Sequence, residues 1–429
     1  MDVTTSSEIL IVGAGCFGLS TAYHLLKRGF RRVTIVDRSS VIPAPDAAST
    51  DINKIVRSSY SDIYYARLAR EAIAAWKDEK EWGDTYHESG VFCPLLGNDS
   101  YTDQAYVNDI ALGARIENLE NASAVRSVFP PGVKIGLPEE VTGYLNRDGG
   151  WAFAEEGVSR LMSKVLALGG QIIAGKQVVE LLRANGSTTG VRCSDGTVFD
   201  ADLIVLSAGS WTASSFPSLD LGQKCLATGQ CVGLMQLTPE EGERYRKCPV
   251  YLDFNSGFYM FPPNADNVVK MAIHASGYTQ MLPADGSTSP ISTPRTIQSH
   301  GEQGLRIPRS ALKELRQELA KVYPELAAKP FSWTRLCWYT DSPDDDWVIG
   351  PHPSDPKIML ATAGSGHAYK FLPVIGRVVA DSIQGVLHPA LIRKFAVDRQ
   401  QNSHTVSRVG NQPRELELDQ LCTPEDLLA

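Results

Sequence analysis

The sequence predicts an α/β protein: a Rossmann-type dinucleotide-binding domain assembled from separated segments, with a second, α+β domain of mostly antiparallel sheet inserted between them. Three observations carry this. A strand, a glycine loop, a helix and a second strand open the chain between Glu8 and Asp37. Strand and helix patterns of the same kind return after interruptions, within residues 151–225 and again within 357–383. Between them, apolar and polar residues alternate as in antiparallel strands with one face on a core. The nucleotide domain is therefore expected over residues 1–90, 151–225 and 331–395, the second domain over 91–150 and 226–330, and a C-terminal tail over 396–429.

The opening unit is "EILIVGAGCFGLSTAYHLLKRGFRRVTIVDR". Glu8 to Val12 is a short β-branched run, the mark of a buried strand. Gly13, Gly15 and Gly18 form the GxGxxG pattern. Gly13 permits the tight turn, Gly15 lets a pyrophosphate approach the backbone, and Gly18 lets the helix pack on the sheet. The helix through Ser20–Leu26 offers its free N–H groups and positive dipole end to the phosphates, and Gly29 closes it. Val33–Val36 is the second strand. It ends in Asp37, 22 residues after Gly15, where a carboxylate can accept ribose hydroxyls. Arg38 follows at once. The pattern signals a dinucleotide and does not separate FAD from NAD.

Further along, a Pro/Ala/Ser loop leads into a helix expected over Ser61–Trp82. Residues 90–150 mix strand-like segments with Gly and Pro turns. "WAFAEEGVSRLMSKVLALGGQII" reads as a helix capped by Gly169 and Gly170, then a strand. A hairpin turns through Ser194-Asp195-Gly196, and the strand Leu203–Leu206 ends near Gly209. "VYLDFNSGFYMFPP" and "VVKMAIHA" alternate as antiparallel strands. Residues 310–323 form an amphipathic helix with Ser310 as its cap, and 357–383 give a strand, a glycine-rich loop and a helix from near Leu372.

Composition excludes several classes. The chain has 429 residues, 43% hydrophobic and 21% charged, with a net charge of −8. No Lys/Arg run exists to neutralise many phosphates, so nucleic acid is not the expected partner. No stretch of about 18 apolar residues suggests a membrane span. The N-terminus lacks a secretory pattern and "PEDLLA" is not a peroxisomal tripeptide, so a cytoplasmic location is expected. The eight cysteines form no CxxC pair, and no metal site is expected. One of them, Cys337 in "TRLCWYTDSPDDDW", sits between Arg335 and a Trp-Tyr pair. By default a lone cysteine in an apolar strand is a small buried hydrophobe.

Six ordered stretches then line up. "VGAGCFGLSTAYHL", "STDINKIVRSSY", "YLDFNSGFYMFPP", "VVKMAIH", "RLCWYT" and "GSGHAYKFLPVIGR" resemble the FAD-dependent amine oxidases related to monomeric sarcosine oxidase. The resemblance is nearest to the fungal saccharopine and L-pipecolate oxidases, with fructosyl amino acid oxidases (amadoriases) as cousins. It spans roughly residues 8–395. It implies that Cys337 carries the flavin covalently, with Arg335 favouring the thiolate such a linkage needs. Lys54 and Arg57 resemble the basic pair flanking flavin and substrate. Lys270 resembles the lysine that assists O2, since a fixed ammonium favours the negative charge that O2 acquires. His274, four residues on, shares that strand face. Lys370 resembles a lysine that meets the substrate carboxylate, and Tyr259 falls among the substrate-binding positions. Val179, Gly209, Gly364, Gly366 and Lys370 fall among the cofactor-binding ones.

Two departures stand out. Fructosyl oxidases carry a glutamate where this chain has His274. A cation-bearing "WRW" stretch of the fungal relatives is replaced by Phe395, Ala396 and Val397. The implied activity is oxidation of a secondary amine, such as saccharopine, L-pipecolate or an N-methyl amino acid, to an imine with O2 reduced to H2O2. The alternatives are a fructosyl amino acid oxidase and an amine-oxidising enzyme of specialised metabolism. The expected partners are a small amine and O2, with the chain acting as a monomer.

Overall fold

The computed structural model describes residues 3–97, 100–284, 287–400, 408–410 and 412–428. Strand Glu8–Val12, helix Cys16–Lys27 and strand Arg32–Val36 follow in the expected order, and Gly29 takes φ +86° just past the helix. These strands lie in a six-stranded sheet with the spatial order 348–352, 355–362, 203–206, 8–12, 32–36, 171–173. All neighbours are parallel except the first pair, which is antiparallel.

The β-branched runs are buried on both faces. Ile9, Ile11, Val33 and Ile35 pack with helices Cys16–Lys27, Ile63–Trp76, Ala154–Ala167 and Ile375–Ile383. Leu10, Val12 and Val36 pack on the other side, with Val178, Val191 and Cys193 of the small antiparallel sheet 178–200. Each fully buried Ile or Val contributes about 1.5–3 kcal/mol. The first and last of these helices cross tightly: a Cβ at Gly376 would lie 2.0 Å from the Ser20 carbonyl oxygen.

The second layer is a ten-stranded, mostly antiparallel sheet centred on the long strand Leu226–Gln236. Val268–Ile273 and Trp333–Asp341 pair with its two edges, and Phe258–Met260 follows Val268–Ile273 outward. Period-2 alternation sorts its side chains. Met235, Val269, Met271, Leu336 and Trp338 pack with the helix Arg309–Val322. Val232, Leu234, Val268, Ala272, Cys337 and Tyr339 point the other way and meet Ala48 and Ile52.

Several expectations are corrected. The helix expected over 61–82 is two helices, Ile63–Trp76 and Glu79–Trp82, because Asp62 and Asp78 each cap a new start. Residues 100–111 form a helix where strands and turns were expected. Ser310 is not a cap; the helix starts at Arg309 behind Pro308, with no side-chain cap. Trp333–Asp341 belongs to the large antiparallel sheet rather than to the nucleotide-binding segment expected from residue 331. The C-terminal stretch is no free tail: Arg414–Glu415 pairs with Tyr278–Thr279, and the Cys422 amide donates to Ile307 O at 2.8 Å. Among the described residues, no helix is long and apolar enough to cross a membrane.

Candidate active site

The first cavity lies where the glycine loop ends strand Glu8–Val12. Gly13, Gly15, Asp37, Arg38, Gly209, Gly364 and Gly366 all line it. Gly13 takes φ +109°, and a Cβ there would lie 2.3 Å from Ser207 O. A Cβ on Gly18 would lie 1.9 Å from Gly13 O, which is the close helix–sheet approach expected of it. Gly15 differs: its nearest neighbour would be Ser49 Oγ at 3.4 Å, so its backbone is open to the cavity. Asp37 accepts the Ala14 and Ser39 amides at 2.8 Å each, which leaves a lone pair on each oxygen. Arg38 stacks over Trp211, 4.4 Å from the ring centroid.

The residues fit a dinucleotide. Arg38 Nη1, Asp46 Oδ2 and Ser207 Oγ are buried in this lining without a hydrogen-bond partner among the described residues, and buried polar atoms require one. Val179 is a correction: its side chain is 49% exposed, and Val178, one residue earlier on the alternating strand, lines the cavity instead.

A second cavity adjoins the first. Lys54, Tyr339, Gly366 and Tyr369 line both. Arg57, Tyr259, Lys270, His274, His367 and Lys370 line the second. All the catalytic and substrate-binding residues expected from the sequence therefore converge here. Lys270 and His274 do share one strand face, as the spacing implies.

The cations of this site fall into two groups. Lys270 Nζ is 2.7 Å from Asp51 Oδ2 and donates to Asn53 O at 2.7 Å. Lys54 Nζ reaches the same Asp51 Oδ2 at 2.7 Å. Burial alone would raise the Asp51 carboxyl, but Lys270, Lys54 and Arg335 outweigh it and hold the group ionised. Burial pushes Lys270 down to about 8, against the pull of Asp51. For Lys54 burial also works downward, yet Asp51 raises it overall.

In the other group no carboxylate of the described residues pairs with the basic side chains, although Asp253 also lines the cavity. Arg57 is 6% exposed, stacked 4.4 Å over Tyr60 and 5.0 Å over Phe254, and donates to Ser59 O and, at 3.5 Å, to Tyr101 OH. Lys370 is 6% exposed and donates to Tyr60 OH at 2.8 Å and His367 O at 2.9 Å. Among the described residues neither forms an ion pair. Burial, then Arg57, push Lys370 well below the ordinary lysine range. His274 is likewise held well below 6.5, by burial first and then by Arg408 and Arg57, so it is neutral.

Cys337 is 1% exposed on the strand face that carries Arg335 and Tyr339. Arg335, Lys54 and Lys270 all lie within electrostatic reach of its sulfur. Arg335 also donates to Thr50 O at 2.7 Å and Ala47 O at 3.0 Å, which fastens the loop before Lys54 over this strand. The loop 363–366 holds Ala363, Ser365 and Gly366 at φ +55°, +46° and +72°. Two non-glycine residues in that region are strain kept at a site. A Cβ on Gly366 would meet Tyr339 at 2.5 Å and His274 at 3.0 Å.

Sequence reasoning assigned no role to Asp51, Tyr60, His367 or Tyr339. Asp51 carried one signal, a carboxylate three residues before Lys54 in a stretch whose neighbours are apolar or small. At the replaced stretch, Phe395 is fully buried beside Trp347, and Val397 is buried in the core, so no cation enters the site from there.

Comparison with known proteins agrees with this geometry. A family model described as DAO, FAD dependent oxidoreductase, matches residues 8–382. The L-saccharopine oxidase of Schizosaccharomyces pombe is 30% identical over 403 residues, covering 89% of this chain and 91% of its own. The amino acid oxidase imqH of Aspergillus flavus is 28% identical over 446 residues, covering 88% and 92%. Among solved structures, the fructosyl amine: oxygen oxidoreductase Amadoriase I of Aspergillus fumigatus superimposes with a TM-score of 0.82 at 27% identity, covering 98% of each chain.

Proposed function

This chain belongs to the DAO family of FAD dependent oxidoreductases, and from that premise we propose that it oxidises the C–N bond of a secondary, N-substituted amine or amino acid to an imine, with O2 reduced to H2O2. Saccharopine, L-pipecolate and N-methyl amino acids are the substrate class. The observation that carries this is the pair Arg57 and Lys370. Both are buried and, among the described residues, form no ion pair with a carboxylate, and both line a cavity that opens onto the dinucleotide cavity at Lys54, Tyr339 and Gly366. Burial and Arg57 disfavour the charged form of Lys370, and a substrate carboxylate would pair with the Arg57 guanidinium while stabilising the Lys370 ammonium.

The glycine loop, Asp37, Arg38, Gly209 and the 363–366 loop would hold FAD. When bound, FAD supplies the hydride acceptor and passes electrons to O2. The chain's own residues do the rest. Arg57 and Lys370 anchor the carboxylate, which turns the amine toward the junction of the two cavities. Lys54 and Lys270 place positive charge there, and like charge disfavours the ammonium form of the substrate. That suits an amine whose lone pair must assist hydride loss. Tyr259 and His274 close the sides of the pocket. Cys337, in a field set by Arg335, Lys54 and Lys270, is the residue we assign to covalent flavin attachment.

His274 weighs against the fructosyl reading. A neutral imidazole stands where those enzymes have a carboxylate to accept sugar hydroxyls. The test is anaerobic mixing of holoprotein with L-pipecolate, L-saccharopine, sarcosine, an N-methyl aromatic amino acid and a fructosyl amino acid, following flavin absorbance. Rapid bleaching by a secondary amino acid is expected. Bleaching by the fructosyl amino acid alone would replace this reading with its alternative. No bleaching by any, in a flavin that dithionite still reduces, would remove both.

A further inference from the structure

One carboxylate in the site serves two lysines at once. Asp51 Oδ2 is 2.7 Å from Lys54 Nζ and 2.7 Å from Lys270 Nζ, and Asp51 Oδ1 lies 4.0 Å from Arg335. All of this is out of water, with the Lys270 and Asp51 side chains 1% and 4% exposed. Asp51 lines neither cavity, and its oxygens are taken by Lys54, Lys270 and the Ile52 amide, so it acts through the lysines.

We propose that Asp51 is the positioning residue of this centre, holding the Lys270 ammonium fixed and charged beside the reacting O2 while drawing Lys54 to the same point. The inference rests on the reading of Lys270 given above. Two lysines brought together without an anion would repel, and the more buried one would shed its proton. Lys270 is the more buried, at 1% against 16% for Lys54. It cannot turn away to solvent, because Asn53 O holds it from the other side. The charged and titratable groups facing it are Asp51 and Lys54 from the 51–56 segment and Cys337 from the strand Trp333–Asp341. Arg335 and Tyr259 act one step further out, on Asp51 and on Lys54. Asp51 is the only anion of fixed charge among these.

The test is Asp51→Asn in the holoenzyme, with two readouts. The first is reoxidation of the reduced enzyme by O2 across pH. Lys270 titrates near 8 in the native protein. Without Asp51 its proton leaves at lower pH, so reoxidation is expected to slow about tenfold at pH 8 and less than about twofold at pH 6. Asp51→Glu should restore most of the rate. The second readout is not activity but the unfolding midpoint against pH. A lysine that titrates near 8 when folded and near 10.5 when unfolded makes stability rise with pH between those values. In Asp51→Asn that rise should begin below pH 7. Rates within twofold of the parent at both pH values, with superimposable midpoint profiles, would overturn the inference. Lys270→Met separates the layers. If it leaves reoxidation unchanged, the reading of Lys270 fails, and the midpoint profile alone still decides whether Asp51 sets the lysine's charge.

Discussion

Lys370 donates a 2.8 Å hydrogen bond to the hydroxyl of Tyr60, a residue 310 positions away in the chain. The same hydroxyl meets His367 Nδ1 at 3.2 Å, and Arg57 lies 4.4 Å over the Tyr60 ring. Tyr60 thus sets the spacing of the two cations without neutralising either.

Removing the Lys370 amine should therefore cost substrate anchoring more than chemistry. Lys370→Met is expected to raise KM for a carboxylated substrate at least about thirtyfold, equivalent to ~2 kcal/mol, with a smaller change in kcat. Esterifying the substrate should produce a similar loss in the parent enzyme and little further loss in the variant. Steady-state kinetics on acid and ester, with both proteins, checks this.

Cys337→Ser should separate flavin binding from flavin attachment. The side chain is 1% exposed and serine nearly matches its volume, so the fold is retained at a cost of about 1–3 kcal/mol for the buried hydroxyl. Flavin should remain in the acid-precipitated parent and be released from the variant. Yellow colour in both precipitates would move the attachment elsewhere.

The two inner glycines should fail in different ways. Gly18→Ala drives a methyl to 1.9 Å from Gly13 O and should destabilise the fold by about 1–3 kcal/mol. In Gly15→Ala the nearest contact is 3.4 Å, so stability should hardly change while FAD affinity falls, by about tenfold. Denaturant melts and a flavin titration, both in the Cys337→Ser background where the flavin is exchangeable, read the contrast.

Asp345 offers a pH prediction. Burial pushes its carboxyl up to about 7, with Arg408 opposing and Asp341 and Asp344 adding to the rise. The unfolded chain loses this proton near 3.8 and the folded chain near 7, so stability is lost as pH climbs through that window and stays lost above it. Asp345→Asn removes the penalty. It should be more stable than the parent at pH 8, by up to ~4 kcal/mol if the whole window is lost, and nearly equal to it at pH 4. Asp345 takes φ +59°, a conformation that asparagine also tolerates. Urea denaturation at the two pH values checks this.

What was legible in the sequence was local or periodic. The glycine loop announces itself because its spacing lies within six residues, although only Gly18 answers a steric demand nearby, from Gly13 O, while the clash at Gly13 is with distant Ser207. Lys270 and His274 could be put on one face because a strand alternates. The rest depends on contacts that no local pattern encodes. Tyr60, His367 and Lys370 meet across some 300 positions. Asp51 sits in a loop without periodicity, and only the fold delivers Lys270 to it from 219 residues away. Val179 was displaced by a single residue, the interval at which a strand changes faces. Trp333–Asp341 went to the other sheet because an apolar run does not say which partner it will pair with.

The order of strands in the parallel sheet has a consequence for synthesis on the ribosome. Glu8–Val12 is made well before the strands on one side of it: Leu203–Leu206 follows almost two hundred residues later, and Asp355–Thr362 later still. Until then the nascent chain carries an apolar strand with one edge unpaired. Such an edge is a template for the wrong partner. A chain truncated before residue 362 would leave the sheet short of a strand. Recombinant yield should therefore respond more to slower translation and chaperone supply than to changes on the finished surface.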